Sequence, residues 1–354
     1  MSSSRFERPI SAWESFYIAT QAVVPPCAVS IVIEGTGKLS RELLQDAVAR
    51  AGHSYPESRL VRRGRSWIDA YKSPSVYEAN ELEFEGILRR SFDFERGPTS
   101  EVWLIRRSYD YQIIFRAARA VMNHDDLLDW IYLVFSALRN DTIETIRHEP
   151  LSQPQKHIPL EMDACAPIKV SKHSPTHFFW QRRTFPGNYP SLGEHIAIEL
   201  AKFQDKTGLM ILHNAQMFSV SRFDNLESIS RYQLTYSSWM KKIFYHLPTK
   251  VLSLALRALI QFQSRRGIYI ASAMLSSLGK ISLDRLNCNY FHAKTAYAIP
   301  VHTGLSPISI VTMEFNTHKE ITLSCFEGEG LTEQVSIFLD KLEKSIPAIP
   351  LPHS

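Results

Sequence analysis

Six residues between Arg119 and Asp129 carry side chains that could do chemistry. Asp125, Asp126 and Asp129 spell D-D-x-x-D. On a helix the first and last of these carboxylates share a face and could hold Mg²⁺ for a diphosphate substrate. The same residues have a plainer use. Asn123 is a good helix N-cap, and acidic side chains in a first turn complement the positive end of the helix dipole. His124, at the first helical position, offers an imidazole able to accept a proton near neutral pH, or is a solvated helix-end residue. Arg119 cannot be a base, because a guanidinium stays protonated through the physiological range. It can stabilise a developing oxyanion or enolate, or grip a carboxylate or phosphate bidentately.

The elements around these residues set their geometry. Val102–Arg107 and Tyr111–Phe115 flank S-Y-D as a hairpin-like pair of strands. Asn123 then opens a helix in which Leu127, Leu128, Ile131, Val134, Phe135 and Leu138 recur at three- and four-residue steps. Upstream, the β-branched run Ala28–Glu34 reads as a strand. Leu39–Ala51 reads as a helix with Ser40 as N-cap and Gly52 just past its end. Residues 151–176, with five prolines between His148 and Thr176, form the best linker between an N-terminal part, 1–150, and a C-terminal part, 177–354. The latter holds helices around Gly193–Lys206 and Thr249–Gln263, and a strand at Leu209–His213. It closes with the strands SPISIVTMEF and KEITLSCF and a helix over Thr332–Lys344. Both halves read as antiparallel strands with helices packed on them, an α+β class.

Bulk properties exclude several functions. A hydrophobic content of 44% with 21% charged residues is that of a globular chain. The formal net charge is +4, with Lys and Arg spread along the chain, which does not point to nucleic acid. Cys27, Cys165, Cys288 and Cys325 lie far apart, so neither a zinc site nor a disulfide framework is indicated. The N-terminus lacks an apolar signal-peptide core. The most apolar helical run, Val251–Phe262, is shorter than a membrane span and carries Arg257. A cytoplasmic protein with no membrane partner is the expectation.

Several segments resemble, in order, those of the superfamily of chloramphenicol acetyltransferase, nonribosomal peptide condensation domains and polyketide-associated acyltransferases. RPISAWESF resembles that group's R-P-L-S-x-x-E opening, and LSRELLQDAVARAGHSYPESRLV its first long helix, with Trp67 on the next strand. SFDFERGPTSEVWLIR is similar to its "l-D-l-x-x-g-p-x-x-r" strand. SSLGKI, Ser276 to Ile281, resembles its S-N-L-G-x-l loop, so that Ser277 and Gly279 would form a loop. TMEFNTHKEITLSCFEGEGLTEQV resembles its closing strands and helix. The resemblance implies two chloramphenicol-acetyltransferase-like α+β subdomains with a tunnel between them. DDLLD separately resembles the metal motif of class I terpene synthases. Those enzymes are all-helical and need a second metal motif, for which N-D-T-I-E-T-I-R-H from Asn140 lacks both the serine and the glutamate.

The superfamily's H-H-x-x-x-D-G signature lies at a strand end before a helix, and its second histidine is the general base. In one register that histidine becomes Asp125 and the glycine Trp130. In the other, spanning Ala118 to His124, the histidine becomes Arg119, the aspartate Asn123 and the glycine His124. The second is favoured, because Asn123 is the cap while Asp129 is almost two turns into the helix. The resemblance then implies a degenerate signature and catalytic roles for Arg119, Asn123 and His124. It also implies substrate contacts from Ser277 and from His302 and Thr303 in the IPVHTGLSPIS loop, although a simple turn around Gly304–Pro307 is the better explanation of that loop. Tyr269, Tyr290 and Phe291 could line a cavity or belong to the core.

The expected activity is a specialised-metabolism enzyme acting on a bulky apolar acyl or polyketide-like substrate by a non-standard reaction such as cyclisation. The substrate would be a small molecule or tethered to a carrier protein, delivered by an acyl carrier protein or as a CoA thioester. No cofactor and no metal are expected. Ordinary acyl transfer with His124 as base, a non-catalytic docking protein, and a metal-dependent terpene cyclase are the alternatives, in that order.

Overall fold

Three polar side chains start the main helices of the first unit in the computed structural model, which describes residues 6–107, 110–142, 164–165, 178–187, 189, 191–204, 209–213, 216–220, 229–233, 245–327 and 330–345. Ser11 and Glu14 form a reciprocal capping box at the start of Ala12–Gln21, and Glu14 also meets Arg8 at 2.6 Å. The opening R-P-I-S-A-W-E is thus a helix start reinforced by an ion pair. Ser40 accepts from the Leu43 N–H and starts Arg41–Ser54. That helix outruns its expected end: Gly52 lies inside it, and the Tyr55 N–H bonds the Ala51 carbonyl. Asn123 caps His124–Arg139, whose buried positions include all six periodic residues read from the sequence.

This unit comprises Met1–Pro150 and Ser282–Ala298. Its five-stranded sheet has the order Phe291–Ile299, Ala28–Gly37, Tyr111–Ala118, Ser100–Arg106, Val76–Ala79. The expected hairpin is present, with Arg106 opposite Tyr111. Phe115 meets Trp130 of the capped helix edge-on at 5.6 Å, and Phe135 meets Phe291 at 5.9 Å. Each such ring contributes roughly 1.5–3 kcal/mol by leaving water. A small sheet of Glu7–Pro9, Ser66–Asp69 and Leu60–Arg63 holds the buried Trp67. There Arg59 and Asp69 form a buried ion pair at 2.5 Å.

The edge strand Phe291–Ile299 comes from a segment more than 140 residues after its sheet neighbours, a return that local periodicity does not reveal. Gly35 and Gly37 make room for it. A Cβ at Gly35 would lie 2.2 Å from the His292 carbonyl oxygen, and one at Gly37 would lie 2.1 Å from that of Tyr290. Arg139 holds the segment through the carbonyls of Arg285 and Asn287, both at 2.9 Å. Arg285 in turn lies 3.5 Å over the Tyr132 ring.

The second unit comprises Leu151–Ile281 and Ile299–Ser354. Its seven-stranded sheet has the order Ile229–Gln233, Gln216–Val220, Leu209–His213, Ala273–Lys280, Ile308–Glu314, His318–Phe326, Phe178–Pro186. Helices Leu192–Gln204 and Leu331–Ser345 cover one face, packing on Ile308, Ile310, Ile321, Leu323 and Cys325. The antiparallel theme read from the sequence needs correcting: the three central strands run parallel. Long connections between them allow this, because parallel neighbours need a crossover. SSLGKI also differs from its expected form. It lies on the strand Ala273–Lys280, with an irregularity between Ser277 and Lys280 where Gly279 has φ +66°. Of the proline-rich stretch 151–176, only Ala164–Cys165 falls within the described residues, paired with Ile268–Tyr269. Tyr269 and Phe291 are core residues, whereas Tyr290 is exposed; Cys27, Cys288 and Cys325 are buried free thiols.

Candidate functional site

The strand Tyr111–Ala118 is buried from Gln112 onward and stops at Ala118, whose carbonyl accepts the N–H groups of both Val121 and Met122. This tight turn lifts Arg119 out of the sheet. The Arg119 N–H is held by the Cys27 carbonyl at 3.1 Å, and its guanidinium lies 4.5 Å over the ring of Tyr17 on the first helix. Among the described residues, no side-chain hydrogen bond or ion pair engages that guanidinium. A half-buried cation braced by a ring alone keeps its donors for another anion or carbonyl.

Asn123 and Asp126 are committed elsewhere. Asn123 Oδ1 accepts from the Asp126 N–H at 2.9 Å, and Asp126 Oδ2 accepts from the Asn123 N–H at 2.8 Å. His124 is buried at the first helical position. Asp125 is exposed, yet crowding by the surrounding protein, with help from Asp126 and Asp129, raises its carboxyl above the ordinary value, and Arg119 opposes this. Among the described residues, no group of three or more His, Cys, Asp or Glu is arranged to hold a metal. Burial pushes the Cys27 thiol up to about 12, against the pull of Arg119, so this cysteine is inert beside the corner.

Arg116, three residues earlier, is the opposite case. Fully buried, it pairs with Glu101, donates to the carbonyls of Arg90 at 2.6 Å and Leu88 at 3.3 Å, and lies 5.3 Å from the Phe92 ring. Its role is structural.

Arg119, Asn123 and His124 therefore share one strand–helix corner of the first unit, while His302, Thr303 and Ser277 belong to the second. His302 is enclosed between the rings of Phe178 and Phe326, 5.5 and 5.0 Å away, and shares a 2.6 Å hydrogen bond with Ser324 through Nε2. Burial depresses its imidazole to about 3, so it is neutral. Among the described residues its Nδ1 has no hydrogen-bond partner, nor has the buried hydroxyl of Ser309, which sits opposite Ser324 on the same sheet face. Thr303 Oγ1 reaches Met274 Sδ at 3.5 Å. Ser277 lies three residues farther along that strand, about 10 Å away. Ser306 Oγ bonds the Ile308 carbonyl, as a turn residue does.

Sequence reasoning missed Tyr17, Arg116, Ser309 and Ser324. Tyr17 and Arg119 lie about a hundred residues apart, and no local pattern joins them. Ser324 alternates with Thr322 and Glu320 along its strand, which is the one signal that a polar sheet face was present.

No family model and no curated protein matches the chain. Solved structures do match it over nearly its whole length. The starter condensation domain of rhizomide synthetase, in a complex with C8-CoA and Leu-SNAC, is 11% identical, with 97% of this chain and 98% of that chain covered at a TM-score of 0.58. The condensation domain of the Monacolin K polyketide synthase is 10% identical, covering 97% and 98% at 0.57. The wax ester synthase/diacylglycerol acyltransferase of Marinobacter aquaeolei VT8 is 11% identical, covering 95% and 98% at 0.57. This likeness shows the fold: a mixed α+β chain of two subdomains, as in condensation domains.

Proposed function

We propose that the chain is an enzyme of the condensation and acyltransferase type in which Arg119 engages an acyl or polyketide-like substrate as a cationic hydrogen-bond donor. One observation carries the reading. Arg119 occupies the strand end before a capped helix, braced by Tyr17 and with its donors unengaged among the described residues. Asn123 begins that helix, in keeping with the alignment that puts Arg119 where the superfamily has its basic histidine.

A guanidinium cannot take a proton from an acceptor, so ordinary transfer through that position is disfavoured. It can stabilise negative charge on an enolate or oxyanion, which suits a cyclisation or another rearrangement that conserves composition. Asn123 holds the helix start that fixes the corner. His124 supplies a base if transfer from a thioester occurs instead. In the same reading Ser277, Thr303 and His302 contact polar atoms of the substrate, supported by the unpartnered Nδ1 of His302 and hydroxyl of Ser309. The thioester class draws support from the fold shared with a domain crystallised with C8-CoA and Leu-SNAC.

The test is incubation with acyl thioesters of CoA and of a carrier protein, following thiol release and product mass together. Product of unchanged composition that is lost in Arg119→Ala supports rearrangement at the cation. Thiol release abolished in His124→Ala points to ordinary transfer. Unaltered activity in both variants leaves the corner as scaffold and sinks the reading.

A further inference from the structure

The mild net charge conceals a sharp asymmetry. From Ser228 to Leu283 the sequence has no Asp or Glu and eight Lys or Arg. Of 40 basic and 36 acidic residues in the whole chain, the remainder outside this run is therefore net acidic. The one long described helix in the run, Thr249–Arg266, is apolar on two sides. Leu252, Leu256 and Ile260 are buried on its inner side. On its outer side Val251, Leu254 and Phe262 are exposed by 48%, 70% and 48%, with exposed Ala255 and Ala258 between them. The stripe is about 16 Å long at 1.5 Å per residue.

Exposed Lys250, Arg257, Arg265 and Arg266 border this stripe, and among the described residues none of them forms an ion pair. Arg266 lies 5.5 Å from the Phe262 ring. Helix stability does not account for the set. Arg265 and Arg266 complement the negative C-terminus, but Lys250 sits at the positive end and opposes the dipole, and no side chain caps that end. Nor does the sequence need an outer row of Leu and Phe to fold the helix onto its unit.

We propose that the outer face of Thr249–Arg266 docks the protein on an anionic lipid surface. A convex apolar stripe flanked by cations sinks into the headgroup boundary, while the long Lys and Arg side chains reach the lipid phosphates and carboxylates. Such cations each add about 1 kcal/mol at an anionic leaflet. Four cations beside an apolar stripe, in a run without a single acidic residue, complement a surface of net negative charge. No helix among the described residues is long and apolar enough to cross a membrane, so the association is peripheral. It departs from the expectation, drawn from a Val251–Phe262 run too short to span a bilayer, that no membrane is involved.

Sedimentation of the full chain with vesicles tests this, using phosphatidylcholine alone and phosphatidylcholine mixed with phosphatidylserine. Binding to the mixed vesicles only, weakened by salt, is the expected result. Each of Lys250→Gln, Arg257→Gln, Arg265→Gln and Arg266→Gln should weaken it about fivefold. Leu254→Asp with Phe262→Asp should abolish it without lowering the thermal midpoint, because both side chains are exposed. Equal binding to both vesicle types, or indifference to these variants, overturns the proposal. So does capture of an acidic protein or an RNA oligonucleotide through the same four cations while vesicles stay unbound.

Discussion

Arg116 and Arg119 lie one turn of sequence apart, yet the fold treats the two cations differently. Arg116 points from the middle of a buried strand at Glu101 and the carbonyls of Leu88 and Arg90, which engage both terminal nitrogens and leave only Nε without a partner among the described residues. Arg119 follows the end of that strand, rests on Tyr17, and keeps its donors among the described residues. A buried cation whose terminal nitrogens are held by its own chain stabilises the fold; one with both of them spare is available to a ligand. The second unit repeats the contrast with a neutral group, for His302 satisfies one ring nitrogen with Ser324 and, among the described residues, leaves the other unpartnered in the interior.

The comparison can be broken most directly at Arg116. Arg116→Met should cost about 3–5 kcal/mol of unfolding free energy, since it strands Glu101 and two carbonyls, measured by denaturant titration. A loss below about 1 kcal/mol would remove the structural role. Arg119→Ala should behave oppositely, with stability changed by less than about 1 kcal/mol. Its catalysed rate should fall about 10²–10³-fold, the usual effect of deleting an oxyanion donor, and Arg119→Lys should recover part of it.

Acid titration sharpens the comparison in the second unit. The folded pKa of His302, about 3, lies below the ordinary 6.5, so its neutral form stabilises the fold fully above pH 6.5. That contribution is lost as pH falls from 6.5 toward 3, by up to about 1.4 kcal/mol per unit. His302→Gln should flatten this limb in pH-dependent melting curves, and an unchanged limb would assign it to other groups. The smallest effect belongs to the cap. Asn123→Ala should cost about 1 kcal/mol and Asn123→Gly only a few tenths, read as shifts in the thermal midpoint.

Much of this was written in local sequence. Asn123 and Ser40 announced their helices because capping depends only on the next three residues. The β-branched and aromatic residues of Tyr111–Phe115, across S-Y-D from Val102–Arg107, placed the strand. What failed depended on distant partners. The loop at Ser276–Ile281 is implied by resemblance alone, but Ser276 and Ser277 pair with Val311 and Thr312 as strand residues, and the irregularity is confined to the stretch between Ser277 and Lys280. The parallel central strands follow from long crossovers rather than from any periodicity. Arg116 looks like an ordinary strand cation until Glu101 and the Leu88–Arg90 turn close over it. The candidate site was half legible. Arg119 and the cap could be found in sequence, whereas Tyr17, the brace that gives the arginine its character, could not. The helix at Thr249–Arg266 was legible, but its cationic excess was not, because whole-chain averages cancel a local one.

The glycine-lined berth for Phe291–Ile299 carries a consequence for how the protein is made. The strand Ala28–Gly37 has its neighbour on one side supplied by residues that leave the ribosome long after the rest of its sheet. Until they emerge, or in a fragment cut at residue 150, that strand is an open, apolar edge able to pair with another chain. The natural-looking cut in the sequence is therefore a poor place to divide this protein for expression. A fragment ending there should aggregate, and a synthetic peptide of residues 282–298 supplied in trans should hold it in solution.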